Sequence, residues 1–297
     1  MRIGRRDFLK ISAAAGVAST IGCTKTSFQL DESSQKAVLK LSCQEGVAPG
    51  EALNEKLDFL EEHGYVGLEV SGRNLTSRVE ALQNALRGRS IKISAICAGF
   101  EGVIISDKEE TRQLAMQSMK EILKAAGALN AMGLIIVPAF NRQPSLPHKE
   151  SREMLLKLLP ELGDFAQAVG SRILLEPLNR RETYFLRLVA DAAAICKDVN
   201  NPGIACMGDF WHMTWEETSD MGGLISGGQY LHHMHIASRK RRKVPGEDEG
   251  DNYVDGFRGL KIIGYQDYVS LECGSIGDKK ETIPAAAKLL REQWEMT

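Results

Sequence analysis

Short apolar runs alternate with longer stretches of helical periodicity from residue 37 onward. The apolar runs predict eight buried strands, at residues 38–43, 66–70, 91–97, 134–137, 172–176, 204–209, 231–236 and 268–273. Between them, apolar residues recur every three or four positions, which predicts helices at residues 52–62, 76–87, 108–130, 149–169, 186–199, within 216–225, 255–263 and 283–294. Pro160 predicts a kink or a break in the fourth helix.

Continuous apolar strands that alternate with amphipathic helices indicate a parallel sheet covered by helices. Eight such units between residues 37 and 297 match a (β/α)8 TIM barrel in count and length. We therefore predict an α/β fold, with a single barrel domain at residues 37–297. The alternative is an open doubly wound sheet. No GxGxxG follows the first strand, which disfavours a dinucleotide-binding version of that fold.

The first residues are typical of an export signal. Residues 5–10 read RRDFLK and precede a short apolar stretch of small residues, which resembles a twin-arginine signal peptide at residues 1–22. The Gly22-Cys23 pair resembles a lipobox, so Cys23 is a candidate for lipidation, and simple cleavage nearby is the alternative. Residues 23–36 are polar and predict a tether. We expect an exported, periplasmic protein that uses the twin-arginine machinery, with a lipid anchor if Cys23 is modified.

Composition and charge narrow the classes of function. Hydrophobic residues make up 43% of the chain and charged residues 26%, which is ordinary for a globular protein and excludes disordered, collagenous and polytopic membrane classes. The formal net charge of −2 offers no basic field, so we expect no nucleic-acid partner. The six cysteines are sparse and form no CxxC motif, which argues against a disulfide framework.

The candidate chemistry lies at the ends of the last four predicted strands. Glu176, Asp209, His235 and Glu272 end strands five to eight, whereas the earlier strand ends carry no comparable groups. In a TIM barrel the carboxyl ends of the strands share one rim. Three carboxylates and one imidazole suit a divalent cation such as Mn²⁺, Mg²⁺ or Co²⁺, with Zn²⁺ as a further candidate. Taken singly, each carboxylate could instead cap a helix, and the histidine could be a hydrogen-bonded core residue.

Several motifs resemble one family. Residues 176–180 read EPLNR, residues 209–213 read DFWHM, residues 233–237 read HMHIA and residues 269–272 read VSLE. Together they resemble the sugar isomerase and epimerase group of xylose-isomerase-like barrels. The resemblance implies that Glu176, Asp209, His235 and Glu272 bind one metal ion, and that Glu176 and Glu272 act as the acid/base pair. It further implies that Glu182, His212 and Arg241 contact the substrate.

Two features depart from the family pattern. Ser238 stands where the family often has Asp or Glu, three residues after the metal histidine, and the loop at residues 239–251 is unusually charged. Both bear on the identity of the substrate. The basic run at residues 239–243 could bind a phosphate, but the acidic residues 247–249 that follow could neutralise it, so we expect a solvated loop with one arginine pointing inward.

The resemblance implies a metal-dependent isomerase or epimerase that moves a proton next to a sugar carbonyl through an enediolate. A metal-dependent dehydratase of the inosose type and an exported, non-catalytic sugar-binding barrel are the alternatives. The AP endonuclease branch of these barrels is disfavoured, because strands two and three end in Val70-Ser71 and Cys97-Ala98 rather than in histidines. We expect a small carbohydrate as the partner, and a homo-oligomer is compatible with the sequence.

Overall fold

Eight parallel strands close into a barrel in the order in which they occur in the chain. The structure is a computed structural model that describes residues 36–143 and 146–297. The strands are β1 (Lys40–Gln44), β2 (Gly67–Ser71), β3 (Lys92–Cys97), β4 (Leu134–Ile136), β5 (Ile173–Leu175), β6 (Ile204–Asp209), β7 (Leu231–Ile236) and β8 (Tyr268–Leu271). The closing pair is β1 with β8, in which Ser42 lies beside Ser270. The prediction of a TIM barrel is confirmed, and an open sheet is excluded.

Helices follow the strands and cover the outside of the barrel. They are α1 (Leu53–Glu62), α2 (Val79–Leu86), α3 (Glu109–Ala128), α4 (His148–Ala168), α5 (Val189–Val199), α6 (Phe210–Glu216), α7 (Asp220–Gly227), α8 (Val254–Ile262) and α9 (Lys279–Glu295). Short 3₁₀ turns precede α2 (Leu75–Arg78) and β7 (Gly228–Tyr230). No helix in the described ranges is long and apolar enough to cross a bilayer.

The interior of the barrel has an apolar side and a polar side. Five buried residues from β3 to β6 form a small cluster of their own: Ala95, Ile135, Leu174, Ala205 and Met207. Buried polar groups come from β1, β2, β3, β6, β7 and β8, and the hydroxyls of Ser42 and Ser94 lie 2.7 Å apart. Buried polar groups need partners. The polar side of the barrel therefore fixes side chains near the rim through hydrogen bonds rather than through packing alone.

Two helices differ from the sequence prediction. Helix α4 continues through Pro160 without a break, because Leu155, Leu159 and Leu162 bury one continuous face against the core, which offsets the backbone hydrogen bond that proline cannot make. Helix α6 was not predicted at residues 210–215. It begins directly after β6, because Asp209 both ends that strand and caps the helix by accepting a hydrogen bond from the Trp211 N–H.

The export predictions fall outside the structural description. The signal segment at residues 1–22, Cys23 and the tether up to residue 35 lie outside the described residues. Export, lipidation and the use of the twin-arginine machinery therefore stay predictions.

Glu61 of α1 holds the start of β3. One carboxylate oxygen accepts hydrogen bonds from the Ser90 N–H at 2.9 Å, the Ser90 hydroxyl at 2.8 Å and the Ile91 N–H at 3.1 Å, and the other accepts from Arg89 at 2.8 Å. Burial alone would raise the pKa of Glu61, but these hydrogen bonds outweigh it and lower the pKa to about 2. The ionised form of Glu61 therefore stabilises the fold.

We predict that Glu61→Gln lowers the free energy of unfolding by about 1–3 kcal/mol at pH 7, because hydrogen bonds to a charged group are lost. The unfolded pKa of a glutamate is about 4.3. The wild-type advantage is present above that pH and disappears as pH falls from about 4 toward 2. Urea unfolding across this range checks it. The exposed neighbour Glu62, changed to Gln, is the control, and an equal effect of both variants would contradict the prediction.

Candidate active site

The structure brings together the four residues that the sequence placed at strand ends. Glu176 and Glu272 directly follow β5 and β8, Asp209 ends β6, and His235 lies one residue before the end of β7. One ligand atom from each lies within 4.8 Å of the ligand atoms of the other three. The Nδ1 atom of His235 is 3.4 Å from a Glu176 oxygen and 3.0 Å from a Glu272 oxygen. Glu176, Asp209 and His235 are buried, and Glu272 is partly exposed.

A fourth carboxylate, Glu69 on β2, lies beneath this cluster and was missed by the sequence reasoning. Both of its oxygens are 3.0 Å from Nε2 of His235, and one is 2.8 Å from Nε2 of His233. All three side chains are fully buried. The available signal was a single acidic residue inside the otherwise apolar run 66–70, which reads VGLEV. Glu69 connects β2 with β7, between which β8 and β1 lie in the barrel.

The contact with Glu69 sets the orientation of the His235 ring. An ionised carboxylate only accepts hydrogen bonds, so Nε2 of His235 carries the proton that faces Glu69. Nδ1 then faces Glu176 and Glu272, and this buried atom has no hydrogen-bond partner among the described residues. An unsatisfied imidazole nitrogen beside three carboxylates is the donor set that a divalent cation needs. The residues present therefore fit a bound metal ion.

The electrostatics of the cluster favour positive charge. Burial would lower the pKa of His235, but the carboxylates of Glu69 and Glu272 raise it well above its usual value. Burial raises the pKa of Glu176, and the contact with His235 only partly opposes this effect. Burial would also raise the pKa of Glu272, but His235 and Arg242 outweigh it and lower the pKa to about 2. The two glutamates thus sit in different electrostatic environments.

Arg242, rather than its neighbour Arg241, reaches the cluster. Its guanidinium donates to Asp209 at 3.0 Å and to Glu272, lies 4.0 Å from Glu182, and stacks 4.6 Å from the ring centre of Trp211. The contacts of Arg241 in the described structure are instead with its own loop, where it pairs with Asp248, and its side chain is 55% exposed. The substrate contact predicted for Arg241 stays a prediction, and the geometry favours Arg242.

Asp248 explains why the loop presents Arg242. This buried carboxylate accepts hydrogen bonds from the Ser238 hydroxyl at 2.7 Å, the Lys240 N–H at 3.0 Å and the Arg241 N–H at 2.9 Å. The backbone then turns at Arg242, whose φ of 54° lies in the left-handed region. The charged loop at residues 239–251, which departs from the family pattern, therefore supplies Asp248 to fix its own turn. Ser238, the other departure, donates a hydrogen bond to Asp248.

His212 and Glu182 lie at the side of the cluster. Nδ1 of His212 accepts from the Asn179 N–H at 3.1 Å and from its side-chain amide at 2.8 Å, so the ring is neutral with its proton on Nε2. Nε2 is buried, lies 3.6 Å from Asp209 and has no hydrogen-bond partner in the described part of the chain. Glu182, held by Asn179 at 3.3 Å, is 39% exposed at the rim. His212 is thus a donor aimed at the cluster.

Several known proteins are similar to this chain in sequence. Residues 57–293 match the family model described as xylose isomerase-like TIM barrel. The 3-dehydro-D-guloside 4-epimerase of Escherichia coli (strain K12) is 28% identical over 242 residues, which cover 79% of this chain and 92% of that relative. A D-psicose 3-epimerase from Ruminiclostridium cellulolyticum is 31% identical over 128 residues, 43% of each chain.

Solved structures of sugar epimerases have the same fold as this chain. The apo crystal structure of 3-keto-D-glucoside 4-epimerase from E. coli superimposes with a TM-score of 0.76 at 26% identity, covering 86% of this chain and 99% of that one. A D-psicose 3-epimerase crystallised in the presence of D-fructose gives 0.75 with the same coverage, and its 18% identity shows the fold alone. These relatives are sugar epimerases, which confirms the prediction of an enzyme of the sugar isomerase and epimerase class. The chain belongs to the xylose isomerase-like TIM barrel family.

Proposed function

We propose that this enzyme is a divalent-metal-dependent epimerase that inverts a carbon next to the ketone of a keto-sugar. The observation that carries the proposal is the convergence of Glu176, Asp209, His235 and Glu272 within 4.8 Å, with oxygens of both Glu176 and Glu272 within 3.4 Å of the His235 Nδ1 atom. The similarity to an E. coli sugar 4-epimerase over most of both chains supports it.

The chain's own residues account for the proton transfers. A divalent cation held by Glu176, Asp209, His235 and Glu272 would act as a Lewis acid and stabilise the negative charge that develops on the keto oxygen. One of the two glutamates removes the proton from the carbon beside the ketone. The other returns a proton from the opposite face, which inverts that carbon. Positioned acid and base groups of this kind contribute about 10²–10⁴-fold each. Oxygen-rich sets with one imidazole favour Mn²⁺, Mg²⁺ or Co²⁺.

The remaining polar groups orient the sugar. His212 donates through Nε2, because Asn179 occupies its other nitrogen, so it binds a substrate oxygen and does not act as a base. Arg242 donates to Asp209 and Glu272, and its guanidinium supplies further donors for substrate oxygens at the same place. Glu182 accepts from sugar hydroxyls at the rim. These three side chains lie next to one another beside the cluster.

We predict that incubation of the Mn²⁺-loaded enzyme with a keto-sugar in D₂O places deuterium at the inverted carbon, without loss of water. Glu176→Gln and Glu272→Gln each lower this exchange by at least about 10²-fold, because one proton-transfer group is lost. NMR of the recovered sugar measures the exchange. Glu249→Gln, an exposed glutamate in the same loop as Arg242, is the control and keeps full exchange.

Each other outcome of the exchange experiment identifies a different function. Loss of water with a new C=O group would indicate the dehydratase. Binding of a sugar without any exchange would indicate the non-catalytic sugar-binding barrel. Full exchange by both glutamine variants would contradict the acid/base assignment.

A second prediction concerns Glu69. Glu69→Gln removes the charge that orients His235, and partners of this kind typically change metal affinity by about 10–100-fold. Isothermal titration with Mn²⁺ should show weakening in that range while thermal unfolding shows a folded protein. An Mn²⁺ affinity equal to that of Glu249→Gln would show that Glu69 does not position His235 for metal binding.

A third prediction separates the two neighbouring arginines. Arg242→Ala should lower kcat/KM by about 10–100-fold, since it loses charge-assisted hydrogen bonds in the site, while Arg241→Ala stays within about twofold. Steady-state kinetics on both variants measure this. The reverse order would restore the role that the family resemblance implies for Arg241.

A further inference from the structure

A large open cavity lies beside the cluster and has no role in the function proposed so far. Its volume is about 1020 Å³. Its walls come from the segments after β2, β3 and β4 and from one side of α3, and they include none of the four residues of the cluster. Pockets that bury drug-sized ligands have volumes of about 300–1,000 Å³. A single sugar ring held by the cluster would leave this space empty.

The cavity lies near the cluster on the same rim of the barrel. The Glu176 N–H donates to the Ile136 carbonyl at 3.0 Å, and the next two residues after Ile136, Val137 and Pro138, already line the cavity. A smaller depression of about 190 Å³ shares Phe140 with the cavity and extends to Glu182, which lies 4.0 Å from both His212 and Arg242. Glu182 and Phe140 therefore mark the path from the cluster toward the cavity.

The lining combines aromatic rings with amides, and it also includes four charged side chains: Arg73, Glu101, Glu121 and Arg142. Phe100 and Phe140 line the cavity together with Asn74 and Gln117, and Leu114 of α3 exposes 46% of its surface there. Sugar rings present C–H faces and hydroxyl edges, and pockets for such ligands pair apolar walls with a few placed polar groups. This mixture fits a sugar ring better than an aliphatic chain.

The floor of the cavity is preformed by two loops that pack closely. Ala98 adopts a φ of 46°, in the left-handed region that favours glycine. A Cβ at Gly72 would lie 2.0 Å from the Ala98 carbonyl oxygen, and a Cβ at Gly99 would lie 2.2 Å from the Arg73 nitrogen. Strained backbone of this kind is retained where its surroundings fix it, often at binding sites. The two loops are therefore fixed against each other where they line the cavity.

We propose that the substrate is a keto-glycoside, in which the cluster acts on the keto-sugar ring and the cavity binds a second sugar ring joined to it. The proposal rests on the proposed epimerase function. The glycosidic bond stays intact, and the only bond broken and re-formed is the C–H bond beside the ketone. The similarity to an E. coli enzyme that acts on a guloside agrees with this substrate class.

The test compares three probes: a 3-keto-disaccharide, the methyl glycoside of the same keto-sugar, and the free keto-hexose. Deuterium exchange should give a kcat/KM at least about tenfold higher for the disaccharide than for the free sugar. Gln117→Trp fills the cavity from an exposed position on α3 and should remove that preference while leaving the free sugar within about twofold. Gln113→Trp, one turn earlier on the helix and outside the cavity lining, is the matched control and should change neither.

Phe100→Ala gives an independent check, since it removes an aromatic wall without adding bulk, and should raise KM for the disaccharide alone. Equal kcat/KM for all three probes, or an equal effect of Gln117→Trp on each probe, would overturn the keto-glycoside proposal and leave the epimerase function intact. Absence of exchange with every probe would instead overturn the proposed function.

Discussion

Burial of several carboxylates at one end of a barrel is the constraint on which the site depends. Glu69, Glu176 and Asp209 are all buried, and Glu272 lies beside them. Uncompensated ionised groups in such surroundings cost far more free energy than a domain can supply. The imidazole of His235 and the guanidinium of Arg242 offset part of this negative charge, and a bound divalent cation would offset the rest. The need to neutralise these buried carboxylates therefore explains both why the site contains His235 and Arg242 and why it suits a divalent cation.

His235 connects the two layers of this site. Its Nε2 faces Glu69 inside the barrel, and its Nδ1 faces Glu176 and Glu272 at the rim. Carboxylates behind a metal-binding histidine commonly fix its tautomer and orientation. Because Glu69 comes from β2 and His235 from β7, only a closed barrel places them in contact. Closure of the barrel thus prepares the ligand for its role.

Much of the fold and the core of the site followed from local sequence patterns. Strands five, six and eight are mostly apolar and end next to Glu176, Asp209 and Glu272, and strand seven carries His235 near its end, so all four residues were visible in the sequence. Glu69 could not be found in that way, because its histidine partners come from β7, far away in the sequence. Arg242 was missed because the turn around Asp248 decides which of two adjacent arginines faces inward. Local sequence patterns contain no information on contacts between distant strands, such as that of Glu69 with His235, or on the geometry of a loop such as the one around Asp248.

Four side chains at the ends of β5 to β8 are proposed to hold one cation. Crystals grown with Mn²⁺ and measured at the manganese absorption edge give the sharpest test of this site. We expect one anomalous peak about 2.0–2.5 Å from oxygens of Glu176, Asp209 and Glu272 and from Nδ1 of His235. A peak bound by Glu69 and His233 instead, or no peak at saturating Mn²⁺, would contradict it.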